Sequence, residues 1–302
     1  KYHGLKDEQV FLGNGSDEVL ALTFLTFFNG SDPVLFPNIS YSFYPVYCDL
    51  YQMNYKEIIL DQDFKMYVED FKQPNSGIIF PNPNAPTGLL VSLDFIEEVL
   101  KSNPDSIVVV DEAYIELSSN PDVKSMVSEI SDDTNVVVAR TFSKLYGLAG
   151  VRLGYAMCNK EMHAILQKCT SVFTGSRVAL AGAMAALDDE EYIKKTKAAM
   201  LEGRKYLTDE FTKMGFYVYP SETNFLYVNT GYNAAEFAEE CKKYGLIIRG
   251  NFEYSRITVG RMDQNEKMVG IIKKIIESGE LKKIWKLCLW HSVTEWRDLQ
   301  IS

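Results

Sequence analysis

Paired cysteines are missing from this chain. Its five cysteines, Cys48, Cys158, Cys169, Cys241 and Cys288, are odd in number, scattered, and never at CxxC spacing. That argues against a disulfide framework and against a zinc site, so no metal is expected and reduced thiols in a cytoplasmic setting are. No apolar run reaches membrane-spanning length, and no charged-then-apolar leader opens the chain, which begins at Lys1 rather than Met. Neither membrane insertion nor secretion is expected. Basic residues are in the minority, 31 Lys and Arg against 41 Asp and Glu, for a formal net charge of -10. Nucleic acids and anionic membranes are met by clustered cations, so the expected partner is a small molecule. Internal repeats and low-complexity tracts are absent as well.

What is present suits a globular α/β enzyme. At 302 residues with 46% hydrophobic composition, the chain can fill one large domain and a smaller one. Short β-branched runs, residues 33–36, 78–80, 107–110 and 136–138, alternate with amphipathic stretches such as 93–102. This pattern predicts a buried, mostly parallel sheet with crossover helices. From about Thr174 the texture changes to long helical patterns over 177–188 and 190–214, then hydrophobic runs at 216–219 and 225–228. A helix is expected over 234–244, strands at 246–248 and 257–259, and a helix over 266–276. The reading divides the chain into a large α/β domain (1–173), a small α+β domain (174–283) and an atypical tail (284–302) that holds all three tryptophans.

Ligands of such sheets bind beyond the carboxyl ends of the strands. Asp111 and Tyr114 follow one strand there, and Thr141, Ser143 and Lys144 follow another, with Arg152 eight residues beyond the lysine. A lysine that bonds a carbonyl cofactor needs that cofactor's ring nitrogen held by an acid and its phosphate held by cations and hydroxyls. Pyridoxal phosphate is the cofactor that makes all three demands. Arg152 offers a planar fork for phosphate oxygens, and the Lys144 amine can act as general base and then acid. Taken singly these residues have plainer readings. Asp111 could cap a helix or close a salt bridge, Tyr114 could be packing, and Lys144 could be a solvated side chain. Gly15, Ser16 and Asp17 sit in a turn feeding a helix N-terminus, which offers N–H groups to a phosphate but alone reads as an ordinary cap. Tyr41 can cover a flat heterocycle, whereas Phe43, Tyr44 and Tyr47 read as a core stripe. Asn84 lies in a turn-rich loop, 81–88, that alone reads as a rigid connector. Arg249 and Arg256, at strand ends, could converge on an anionic group or form surface ion pairs.

Assembled, the chain resembles the fold-type-I pyridoxal-phosphate aminotransferases, and among them the histidinol-phosphate aminotransferases. The resemblance runs from residue 4 to about 280 and rests on FLGNGSDEVL (11–20), PNPNAPTG (81–88), VVVDEAYIEL (108–117), RTFSKLYGLAGVRLGY (140–155), SETNFLYV (221–228), IIRG (247–250) and RITVG (256–260). It implies that Lys144 bonds the cofactor, Asp111 pairs with the ring nitrogen and Tyr114 bonds the ring oxygen. It also implies that Gly15, Ser16, Asp17, Ser143 and Arg152 hold the phosphate while Tyr41 stacks on the ring; Thr141 offers a second hydroxyl to the cofactor beside Ser143. Arg256, with Arg249 and Asn224, is implied to receive the anionic end of histidinol phosphate or of glutamate and 2-oxoglutarate. A homodimer is implied too. The family places Asn directly before Pro-Thr-Gly, where this chain has Ala85, so Asn84 stands as the substitute. The chain also lacks the N-terminal arm of several dozen residues that the family lays over the substrate. Two other readings remain open at this point: a threonine-phosphate decarboxylase, and an inactive truncated paralogue.

Overall fold

The computed structural model describes residues 2–171 and 174–284. By internal packing the described residues form two units, one within 2–202 together with 220–224, the other 203–219 with 225–284. This division falls inside a helix, later than the change of sequence texture at Thr174. Ala183 and Met200 explain why, because both are buried in the large unit's core.

The large unit is built on a seven-stranded sheet. In chain order it contains β1 (Val10–Gly13), α1 (Ser16–Phe27), β2 (Val34–Pro37), α2 (Tyr44–Tyr51), β3 (Tyr55–Ile58), β4 (Gly77–Pro81) and α3 (Leu93–Ser102). There follow β5 (Val108–Asp111), β6 (Val136–Thr141), β7 (Gly154–Met157), α4 (Lys160–Cys169), α5 (Arg177–Asp188) and α6 (Glu190–Lys213), the last of which holds the unit boundary. The strand order is β1-β7-β6-β5-β4-β2-β3. Neighbours from β3 to β6 pair in parallel, while β7 is antiparallel to both β6 and β1, so β7 alone runs against the rest. The mostly parallel sheet expected from the β-branched runs is therefore present.

Alternation explains why those runs are apolar throughout. Val108 and Val110 enter one core with Ile96 and Val99 of α3, whereas Val109 points into the opposite core with Phe24 of α1 and Leu166 of α4. All three β5 valines are fully buried, each contributing about 1.5–3 kcal/mol of hydrophobic stabilisation. Helix starts follow their caps: the Ser92 hydroxyl accepts from Phe95 N–H at 3.2 Å, and Ser176 does the same for Ala179 at 3.1 Å.

The small unit holds β8 (Tyr217–Val218), β9 (Phe225–Asn229), α7 (Ala234–Lys243), β10 (Ser255–Thr258) and α8 (Met262–Ser278). Its sheet has the order β10-β9-β8 and covers a core of Leu226, Val228, Phe237, Ile257 and Ile272. The strand expected at 246–248 is corrected. Those residues carry no ladder, and only Arg249 makes an isolated antiparallel bridge, to Arg256. Apolarity alone does not make a strand where no neighbouring strand pairs with it: the Leu246 N–H bonds the Cys241 carbonyl at 3.0 Å, the turn after α7, instead. Of the tail, residues 285–302 lie outside the described residues.

Candidate active site

Beyond the carboxyl ends of β4, β5 and β6 lies a cavity of about 210 Å³, walled by Ser16, Asp17, Tyr41, Ala85, Asp111, Tyr114, Thr141, Ser143, Lys144 and Arg152 among others. The sequence scatters these residues over more than a hundred positions. The parallel strands gather them because each delivers its last residue to the same edge.

Asp111 ends β5 and is buried. Its Oδ1 accepts from the Ala113 N–H at 3.1 Å, and its Oδ2 from the Tyr44 hydroxyl at 3.2 Å. Burial pushes the carboxyl up to about 6, against the opposing pull of those two bonds and of the Lys144 charge. Such a group is poised to meet a cation. Lys144 sits in the turn after β6, which is shaped by Thr141 Oγ1 accepting from Ser143 N–H at 3.1 Å and by Gly147 N–H bonding Lys144 O at 3.1 Å. The Lys144 ammonium stands 5.0 Å from the centre of the Tyr114 ring.

Arg152 has a left-handed backbone, φ 57°, which turns its side chain toward the start of α1. One nitrogen donates to Ala149 O at 3.2 Å, and the other is 3.6 Å from Asp17 Oδ2. Asp17 Oδ1 accepts from the Tyr41 hydroxyl at 2.6 Å. Gly15 caps α1 at φ 87°, a conformation that favours glycine, and a Cβ there would stand 2.5 Å from Arg152 Nη2. At Gly154 a Cβ would overlap the Ser16 amide nitrogen and lie 2.5 Å from the Gly15 carbonyl carbon. Two glycines thus keep open a concavity between the α1 N-terminus and Arg152, where first-turn N–H groups lack intrahelical acceptors.

Pyridoxal phosphate fits this donor set: a buried acid for its ring nitrogen, an amine, and a cationic cradle with hydroxyls for its phosphate. Asn84 does not fit the part the resemblance gave it. Its amide nitrogen donates to Ile39 O at 2.9 Å and Thr87 Oγ1 at 3.0 Å, and its buried Oδ1 has no partner, so the wall at this turn is Ala85. Asn224 is half-buried in the large unit's 220–224 segment. The adjoining Glu222 ties that segment down by accepting from the Ser118 hydroxyl at 3.0 Å and the Ser119 N–H at 2.5 Å. Arg249 and Arg256 belong to the small unit, where they exchange backbone bonds of 3.1 and 2.9 Å and Arg256 lies 4.9 Å from the centre of the Phe225 ring.

Some supporting residues escaped the sequence. Arg140 is buried and gives Glu112 two bonds, 3.0 and 2.9 Å, and Glu116 one of 3.2 Å. Glu112 further accepts from the Ser125 hydroxyl at 2.6 Å and the Met126 N–H at 2.8 Å. This network joins the ends of β5 and β6 immediately behind Asp111 and Thr141. Its members were visible only as charges flanking hydrophobic runs.

Fold and cavity together define the class: an α/β enzyme that works with pyridoxal phosphate. Residues 1–272 match the profile of the family described as aminotransferase class I and II. The chain belongs to that family. It is 41% identical over 278 residues to histidinol-phosphate aminotransferase 1 of Pseudomonas fluorescens, covering 89% of this chain and 78% of the relative. It is 40% identical over 284 residues to the Clostridium botulinum histidinol-phosphate aminotransferase, at 91% and 79% coverage. Among solved structures, the histidinol-phosphate aminotransferase of Clostridium acetobutylicum superposes with a TM-score of 0.85 at 25% identity, covering 92% of this chain and 86% of its own. L-threonine-O-3-phosphate decarboxylase of Porphyromonas gingivalis superposes at 0.75 with 23% identity, covering 91% and 86%, a likeness of fold alone.

Proposed function

We propose that this transaminase moves the amino group of histidinol phosphate to 2-oxoglutarate, giving imidazole acetol phosphate and glutamate in histidine biosynthesis. The observation that carries this reading is the 41% identity to a histidinol-phosphate aminotransferase along 89% of the chain, in a protein whose cavity holds Lys144 and Asp111 together.

Bound in the cavity, pyridoxal phosphate supplies an electron sink for charge developing at the substrate's α-carbon. In this reading Asp111 holds the proton on the ring nitrogen, and Tyr114 donates to the ring oxygen. The Lys144 amine would hold the cofactor through its carbonyl carbon and, once the substrate amine has displaced it there, would be free to take the α-carbon proton and to return one on the other side of the transfer. Arg152, the Ser16 and Asp17 amides at the α1 N-terminus next to Gly15, and the Thr141 and Ser143 hydroxyls hold the phosphate. Tyr41 covers the ring face. Asn84 acts from behind, holding the loop that presents Ala85. Arg249, Arg256 and Asn224 receive the anionic end of either substrate. A cytoplasmic homodimer is part of the same reading.

Purified protein supplied with pyridoxal phosphate, histidinol phosphate and 2-oxoglutarate is expected to form glutamate. No glutamate, with carbon dioxide released from threonine phosphate instead, would overturn the assignment in favour of the decarboxylase.

A further inference from the structure

We infer that Tyr44 is a positioning residue for Asp111: its hydroxyl, held by buried aromatic packing and donated to Asp111 Oδ2, sets the orientation in which that carboxylate meets the nitrogen of the bound heterocycle. This rests on reading Asp111 as the partner of the ring nitrogen.

The two oxygens of Asp111 are held from different directions. Oδ1 takes the N–H of Ala113, two residues on, so that bond travels with the local chain. Oδ2 takes the hydroxyl of Tyr44, 67 positions away on α2. The first bond alone leaves the carboxylate a hinge; the second removes it. Tyr44 is itself immobile. Its ring is fully buried, edge-on to Tyr41 at 5.6 Å and to Phe36 at 5.8 Å, and stacked with Phe24 at 6.2 Å. With the ring fixed on three sides, its oxygen has one place to be, and a buried hydroxyl keeps its partner because losing it is costly.

The bond also has a fixed sense. Burial first, and the neighbouring Asp111 carboxylate second, push the Tyr44 phenol well above its usual range, so it remains a donor. A donor stabilises the charged carboxylate, opposing the burial that favours the neutral acid. Lys144 adds to that stabilisation and Asp17 opposes it. A neutral acid would offer a protonated ring nitrogen no countercharge. Tyr44 therefore acts on both the direction and the charge of Asp111, although its place in the sequence is that of a core aromatic.

The test uses Tyr44→Phe, which keeps the ring and deletes the oxygen, and two ligands of the same shape: pyridoxal phosphate, and its analogue with the ring nitrogen replaced by C–H. Affinities are read by fluorescence titration, with thermal midpoints alongside. The unaltered protein is expected to prefer pyridoxal phosphate. In Tyr44→Phe that preference should fall about tenfold, the effect of one hydrogen bond to a charged group, with binding of the analogue unchanged. A purely structural tyrosine would weaken both ligands alike. Equal losses, or no loss, overturn the inference. Asp111→Asn separates the two levels: if it leaves the preference intact, the reading of Asp111 fails; if it abolishes the preference while Tyr44→Phe does not, only the role of Tyr44 fails.

Discussion

Gly154→Ala should damage cofactor binding as well as the fold. Gly154 opens β7, paired with Gly13 on one side and Thr141 on the other. A Cβ at this position would stand 2.5 Å from the Gly15 carbonyl carbon and overlap the Ser16 amide nitrogen, where ordinary contact begins at 3.4 Å. Both obstacles are backbone at the N-terminus of α1, so no side chain can swing aside and the helix start must retreat by roughly an ångström. Overpacking of this kind costs about 1–3 kcal/mol of stability. The retreat also withdraws the N–H groups assigned to the phosphate, and a hydrogen bond to a charged group is worth about 1.5–3 kcal/mol. Losing one of them lowers pyridoxal-phosphate affinity about 10- to 100-fold. Fluorescence titration measures that loss and a melting curve measures the stability. Gly150→Ala is the control, since nothing lies within 4 Å of a Cβ there. Unchanged affinity in Gly154→Ala would refute the cradle.

Other consequences follow from the buried charges. Burial holds Asp111 near 6 against an ordinary value of 3.8, so the cofactor-free folded protein binds that proton more tightly than the unfolded chain does. The group is neutral in its effect below about pH 4 and destabilises increasingly as pH rises to 6, by about 3 kcal/mol above it. Asp111→Asn should therefore be more favourable to cofactor-free stability at pH 8 than at pH 4 by about that amount, as urea unfolding at the two pH values would show; a pH-independent effect would contradict it. Arg140→Ala strands Glu112, whose side chain is 0% exposed, beside Glu116 at 15%. Breaking a buried pair in this way costs about 3–5 kcal/mol, and a loss below about 1 kcal/mol in urea unfolding would refute the clamp between β5 and β6.

The sheet's centre was legible because residues 78–80, 108–110 and 136–139 of β4, β5 and β6 face a core on both sides and are apolar throughout, the polar Asp111, Arg140 and Thr141 coming only at the strand ends. Its margins were not. Strand β3 reads Tyr-Lys-Glu-Ile with only Ile58 buried, and β7 reads Gly-Tyr-Ala-Met with no β-branched residue, so both owe their conformation to the strands they pair with. Residues 246–248 misled for the opposite reason, being apolar without a partner. In the site, the amine, the acid and the arginine were visible because strand ends advertise such groups. Asn84 and Tyr44 show what spacing cannot carry. Asn84 has the right chemistry, but its amide nitrogen is spent on Ile39 O, 45 positions away, and on Thr87 Oγ1 of its own loop. Tyr44 sits among aromatics, and only the folded chain brings its hydroxyl to Asp111.

The most direct test is the absorbance spectrum of the purified chain with pyridoxal phosphate, recorded for the unaltered protein and Lys144→Ala, before and after histidinol phosphate. The account predicts a visible band that requires Lys144 and is converted to the amine form of the cofactor by histidinol phosphate. A band that persists in Lys144→Ala, or one that histidinol phosphate leaves unchanged, would contradict it.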